Sequence, residues 1–133
     1  RIVGSKYYIA NALNNLGNVL RAQGDYPAAR DLYRESLQIN KELGTVWQIA
    51  YILEDMAGLY ALTGEASQAL TLAAAASVLR REHTIPLSST EQERLEDFLS
   101  LSRKALEEGQ QHAAWEKGLK LSMEEAMLLA VQE

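Results

Sequence analysis

The sequence predicts an all-α protein, a solenoid of stacked helical hairpins that closes in a divergent C-terminal cap. Three observations carry that prediction. Ala, Leu, Glu and Gln abound, Val, Ile and Thr are few, and only two prolines fall in 133 residues, a balance that favours helix over sheet. Apolar residues recur at helical spacing. The pattern also repeats: LGNVLRAQGDYPAARDLYRESL, residues 16–37, returns forty residues later as MAGLYALTGEASQALTLAAAAS. A repeat of that length marks a solenoid.

The register is continuous. Gly4 aligns with Gly44, Tyr7 with Trp47, Ile9 with Ile49, Ala10 with Ala50 and Leu13 with Leu53. It runs on through Leu16 with Met56, Leu20 with Tyr60, Gly24 with Gly64, Ala29 with Ala69 and Leu32 with Leu72. The two repeats therefore span about 5–43 and 45–83, and a divergent helix pair and cap occupy about 88–133, all within one domain.

A first helix is expected from Ser5 or Lys6, with Ile9, Leu13, Leu16 and Leu20 on its apolar side. Gly24 ends it, Asp25 caps the next, and Pro27 sits in that helix's first turn, where a missing N–H costs nothing. The second helix runs to about Leu43 and buries Ala29, Leu32, Tyr33, Leu37 and Ile39. The third and fourth, about 46–63 and 66–82, repeat the pair, and the run Ala73–Ala76 should mark the tightest helix contact. Ser88 with Glu91 is a capping box that opens a fifth helix carrying Leu95, Phe98, Leu99, Ser102 and Leu106 on one face, which Gly109 should stop. A short helix with Trp115 follows. Ser122 with Glu125 opens the last, with Met123, Ala126, Met127 and Ala130 along one side.

Leu16-Gly17, Leu20, Gly24-Asp25-Tyr26, Ala29, Tyr33 and Leu37 resemble the tetratricopeptide repeat nearly position for position. The second copy departs from it at Ala57, Ala66 and Ala73, where bulk or the helix glycine is lost. The resemblance implies a right-handed solenoid whose first helix of each repeat lines a concave, partner-binding surface. From residue 69 onward the chain is similar to the end of the tetratricopeptide region in large bacterial signal-transduction ATPases and LuxR-type transcriptional regulators. Arg80-Arg81, Pro86, Trp115-Glu116, Gly118 and Leu121-Ser122-Met123-Glu124-Glu125-Ala126 carry that likeness. It implies a regulatory module in the cytoplasm, cut from a longer protein, an origin that the N-terminal RIVGSKYY, without an initiator Met, also suggests.

The net charge of −5 argues against direct nucleic-acid binding, since no basic patch exists to displace counterions. No apolar run approaches a membrane span. Cysteine is absent, His83 and His112 stand alone, and adjacent carboxylates such as Glu54-Asp55 diverge around a helix by about 100°. Neither a metal, a cofactor nor an enzyme is expected.

Asn11, Asn14, Asn15 and Asn18 fall on one helix stripe, which Arg21 extends by a turn. Four asparagines cost the helix about 1–2 kcal/mol relative to alanine. Amides on a concave face offer donor and acceptor to an extended peptide backbone; equally, they could face solvent or bond neighbouring helices. The matching stripe of the second repeat is Tyr51, Glu54, Asp55 and Gly58, so the groove should turn acidic and suit a basic or neutral partner. Tyr7, Tyr8, Trp47 and Tyr51 form either a gripping rim or the seam between repeats. The expected function is protein or peptide binding. Self-association of copies through an exposed apolar end of the solenoid, giving a homodimer, is the alternative.

Overall fold

The computed structural model describes residues 2–132. Among them are seven helices: α1 (Ile2–Ala22), α2 (Tyr26–Leu43), α3 (Val46–Leu62), α4 (Ala66–Glu82), α5 (Ser89–Lys104), α6 (Glu108–Leu119) and α7 (Met123–Ala130). No strand occurs among the described residues. The all-α helical-repeat solenoid is the fold. α1 with α2 and α3 with α4 form successive hairpins, and each turns at the same register on Gly24 (φ 86°) and Gly64 (φ 84°). An L side chain at either site would enter the left-handed region, which costs about 1–2 kcal/mol. Asp25 caps α2 by accepting from the Ala28 N–H at 3.4 Å, and Pro27 lies in the first turn.

Local signals place the starts of the last three helices. Ser88 with Glu91 and Ser122 with Glu125 each form a complete capping box. Gly109 does not stop α5. That helix ends at Lys104, and a third box, in which the Glu107 N–H donates to Gln110 Oε1 at 2.9 Å, starts α6 ahead of the glycine. α1 begins at Ile2 rather than at Ser5 or Lys6, and Gly4 lies within it instead of copying the left-handed Gly44.

The buried side of α1 is not its expected apolar stripe. Ala10, Asn14, Gly17 and Arg21 are buried, whereas Ile9 and Leu16 are half-exposed. α2 decides this. Tyr33 packs onto Gly17, where a Cβ would stand 2.8 Å from the ring, and Ser36 Oγ donates to the Ala10 carbonyl at 2.7 Å.

α4 is the centre of the molecule, packed against α3, α5, α6 and α7. Ala73 to Ala76 are all buried. The close approach expected there occurs where Ala74 meets α6: a Cβ on Gly118 would lie 2.1 Å from the Thr71 carbonyl oxygen and 2.6 Å from Ala74 Cβ. Thr71 Oγ1 also donates to the Ala114 carbonyl at 2.9 Å. α6 therefore docks on α4 instead of forming a third hairpin with α5. α7 closes the end, held by Tyr60 Oη donating to the Ala130 carbonyl at 2.5 Å and Gln68 Nε2 to that of Leu129 at 2.9 Å.

Candidate functional site

α1, α3 and α5 lie side by side and line one groove of about 260 Å³. α1 supplies Asn11, Asn14, Asn15 and Asn18; α3 supplies Trp47, Gln48, Tyr51, Glu54 and Asp55. The far wall, α5, supplies Glu91, Arg94, Leu95 and Phe98. These last four escaped sequence reasoning, although a signal for them was present. They stand forty residues beyond Tyr51, Glu54, Asp55 and Gly58, so α5 is the third helix of the same series despite its lost repeat motif.

The asparagine stripe divides by role. Asn14 Nδ2 and Asn18 Nδ2 both donate to Asp55 Oδ2, at 2.9 and 3.3 Å, and the Tyr33 hydroxyl donates to Asn18 Oδ1 at 2.5 Å. These two amides join the repeats. Asn11 and Asn15 make no hydrogen bond among the described residues and stand open on the groove wall. Arg21 is not a wall residue. Its guanidinium lies buried under the Phe98 ring, 4.8 Å from the centroid, and donates to the Asp55 carbonyl at 2.8 Å. Gly58 makes room for both, since a Cβ there would meet Phe98 at 2.8 Å and Arg21 at 2.9 Å.

The acidic residues of α3 are tied down. Glu54 receives a two-pronged contact from Arg80, Nε to Oε2 at 2.6 Å and Nη2 to Oε1 at 2.8 Å. Arg80 also donates to the Pro86 carbonyl at 2.7 Å and lies 4.7 Å from the Tyr51 ring centroid. Burial pushes the Glu54 carboxyl above the usual range, and Arg80 offsets this only in part. Burial likewise raises Asp55 against the pull of Arg21, Asn14 and Asn18. The groove is therefore less acidic than the stripe Glu54-Asp55 suggests, and the charges it has besides these are the half-buried Glu91 and the exposed Arg94 on α5. Burial acts to raise Glu91, but the Tyr51 hydroxyl and the Ser88 cap outweigh it and hold that carboxyl below the usual range.

One end of the groove is aromatic. Tyr7 touches Tyr8 and Trp47, with centroids 5.5 and 6.1 Å apart, and Trp47 meets Tyr51 edge-on at 6.1 Å. Trp47 is 43% exposed and Tyr8 72%. The four residues form neither a sealed seam nor isolated rings. They are a continuous strip that runs from Tyr8 and Tyr7 on α1 to Trp47 and Tyr51 on α3. Among the described residues no group of three or more His, Cys, Asp or Glu could hold a metal ion, and no helix is long and apolar enough to cross a membrane.

A family model of the tetratricopeptide repeat matches residues 8–82, more than half of the chain. The chain is a tetratricopeptide-repeat protein. No match was found among curated proteins or among solved structures. Tetratricopeptide repeats are protein-interaction modules, and this one presents its groove on the first helices of its repeats, with α5 extending the tetratricopeptide surface past the matched segment.

Proposed function

We propose that the groove between α1, α3 and α5 binds an extended peptide segment of a protein partner, gripped by the amides of Asn11 and Asn15. The observation that carries this reading is the division of the asparagine stripe. Asn14 and Asn18 are accounted for by Asp55, so the helix-propensity cost of Asn11 and Asn15 has no structural return. Two buried atoms beside them, Asn14 Oδ1 and Gln48 Nε2, also lack a partner among the described residues. A peptide backbone, with one donor and one acceptor per residue, complements such a set.

Selection from a random decapeptide library tests it. Peptides enriched on the wild-type protein should bind an Asn11→Ala/Asn15→Ala variant several-fold more weakly, while the variant melts at or above the wild-type temperature, since alanine is the better helix former. Failure to enrich any peptide, or equal binding by the variant, sinks the reading.

We further propose that the module belongs to a bacterial multidomain ATPase or transcriptional regulator, where occupation of the groove would alter contacts with an upstream domain in the cytoplasm. The C-terminal features shared with such proteins support it. Several of them have packing roles in this chain: Arg80 ties Glu54 to Pro86, and Gly118 admits α4 to α6. A nucleotide-binding motif encoded upstream of Arg1 is the expected result, and an unrelated domain there would remove the assignment.

Self-association is the second reading. α1 exposes Tyr8, Ile9, Leu16 and Val19, and no charged residue lies between Tyr7 and Leu20. An isologous contact across that face would meet no like-charge repulsion. Light scattering decides: a dimer that Leu16→Glu converts to monomer supports it, and a monomeric wild type ends it.

A further inference from the structure

The proposal here rests on the peptide-binding reading and names what its aromatic end selects. We propose that the end of the groove lined by Trp47, Tyr51 and Glu91 receives a cationic side chain, lysine or arginine, of the bound peptide. Three features converge on a cation. Trp47 stands at 6.1 Å from both Tyr7 and Tyr51, with ring planes at 50° and 83° to its own. That arrangement offers π faces and edges from several directions, and a cation near the face of Trp or Tyr is drawn by the ring quadrupole. The Glu91 carboxylate lines the same pocket; its Oε1 accepts from the Ser88 N–H at 3.0 Å, and the other carboxylate oxygen can take a further donor.

Arg80 already covers one face of Tyr51, 4.7 Å from its centroid, and is held there by Glu54 and the Pro86 carbonyl, so the ring face left to a ligand is that of the half-exposed Trp47. Arg21 is buried beneath Phe98, at the opposite end of the groove. Arg94 is exposed and acts on Asp55, a turn further along α3 than Tyr51. Charge complementarity agrees, because a chain of net charge −5 draws basic partners over a distance of about one Debye length.

The test uses the random decapeptide selection with three further arms. Enriched peptides should carry Lys or Arg at one fixed position. With arginine set at that position, its replacement by citrulline, which keeps the shape and removes the charge, should weaken binding about fivefold or more, the scale of one cation–π contact with one partly exposed ion pair. Trp47→Leu and Glu91→Gln should each weaken the basic peptide by a larger factor than its citrulline form. Glu91→Gln is informative because Gln also completes a capping box, so α5 keeps its start while the charge is lost. The indole N–H resonance of Trp47 should move on titration with the basic peptide.

Enrichment of peptides without a basic residue, or a citrulline form that binds equally well, overturns this proposal and leaves the peptide-binding reading standing. No enrichment at all overturns both. Basic peptides that bind Trp47→Leu undiminished and shift only resonances of the outer face of α1 place the cation elsewhere and also overturn it.

Discussion

Asp55 is the residue on which the groove floor turns. It takes both Asn14 and Asn18 while its backbone carbonyl accepts from Arg21, so one side chain and one peptide unit fasten α1 to α3. Its carboxyl is raised by burial, as is that of Glu54. A carboxyl whose folded pKa stands above its unfolded value holds its proton more tightly in the native state, so stability falls as pH rises through that window. Asp55→Asn removes the titration and can still accept from both asparagines. Its stability relative to wild type should therefore rise as pH climbs above the ordinary Asp range, measured as the urea midpoint at each pH. Glu91 has the opposite sign: its lowered pKa adds stability above the ordinary carboxylate range, and that contribution is lost as pH falls through the folded value. The Glu54–Arg80 pair gives a second prediction. Glu54→Leu leaves a buried guanidinium without its partner and should cost about 3–5 kcal/mol, whereas Glu54→Leu with Arg80→Met should recover most of it. Sequence spacing could place the asparagines on one stripe, because helical geometry is local. It could not separate Asn14 and Asn18 from Asn11 and Asn15, since that depends on where Asp55, forty residues on, comes to rest. Arg21 was misplaced for the same reason: its partner Phe98 lies in another helix.

At the level of elements, starts and stops were legible wherever a cap fixed them. Asp25, Ser88 and Ser122 act within three residues of themselves, and the helices begin where those residues say. Ser88→Ala should lower stability by about 1 kcal/mol. It should also weaken groove binding if α5 frays, since Glu91 and Arg94 stand in its first two turns. A thermal melt and a peptide titration on the same variant read both effects. The course of α6 was less legible. Nothing near Gly118 announces a close crossing, because the surface it meets, Thr71 and Ala74, belongs to α4. Gly118→Ala would drive a methyl into the Thr71 carbonyl and should cost about 1–3 kcal/mol, with an unchanged urea m-value. α5 shows the converse case. Its motif has decayed, yet the forty-residue register still carries Glu91, Arg94, Leu95 and Phe98 onto the groove. Position in the repeat outlasts the residues that make a repeat recognisable.

At the level of the whole molecule, the two ends differ. α6 and α7 cover the C-terminal side of the core, so the apolar faces of α3 and α4 meet helices on every flank. α1 keeps Ile9, Leu16 and Val19 half in water, and its burial depends on α2 and a thinner contact with α3. Repeat proteins gain stability from each unit and from each neighbour interface, so a helix with one covered flank opens more readily than a helix with several. α3 and α4 have the most to lose on opening: in each, 12 of 17 residues are buried, and four or more other helices rest on it. In deuterated water this asymmetry becomes a clock. Amide protons of α4 should exchange only when the entire chain unfolds, while those of α1 exchange through partial openings that leave α3 to α7 intact. A ligand seated across α1, α3 and α5 would then slow α1 most of all, because it couples the loosest helix to the two beside it.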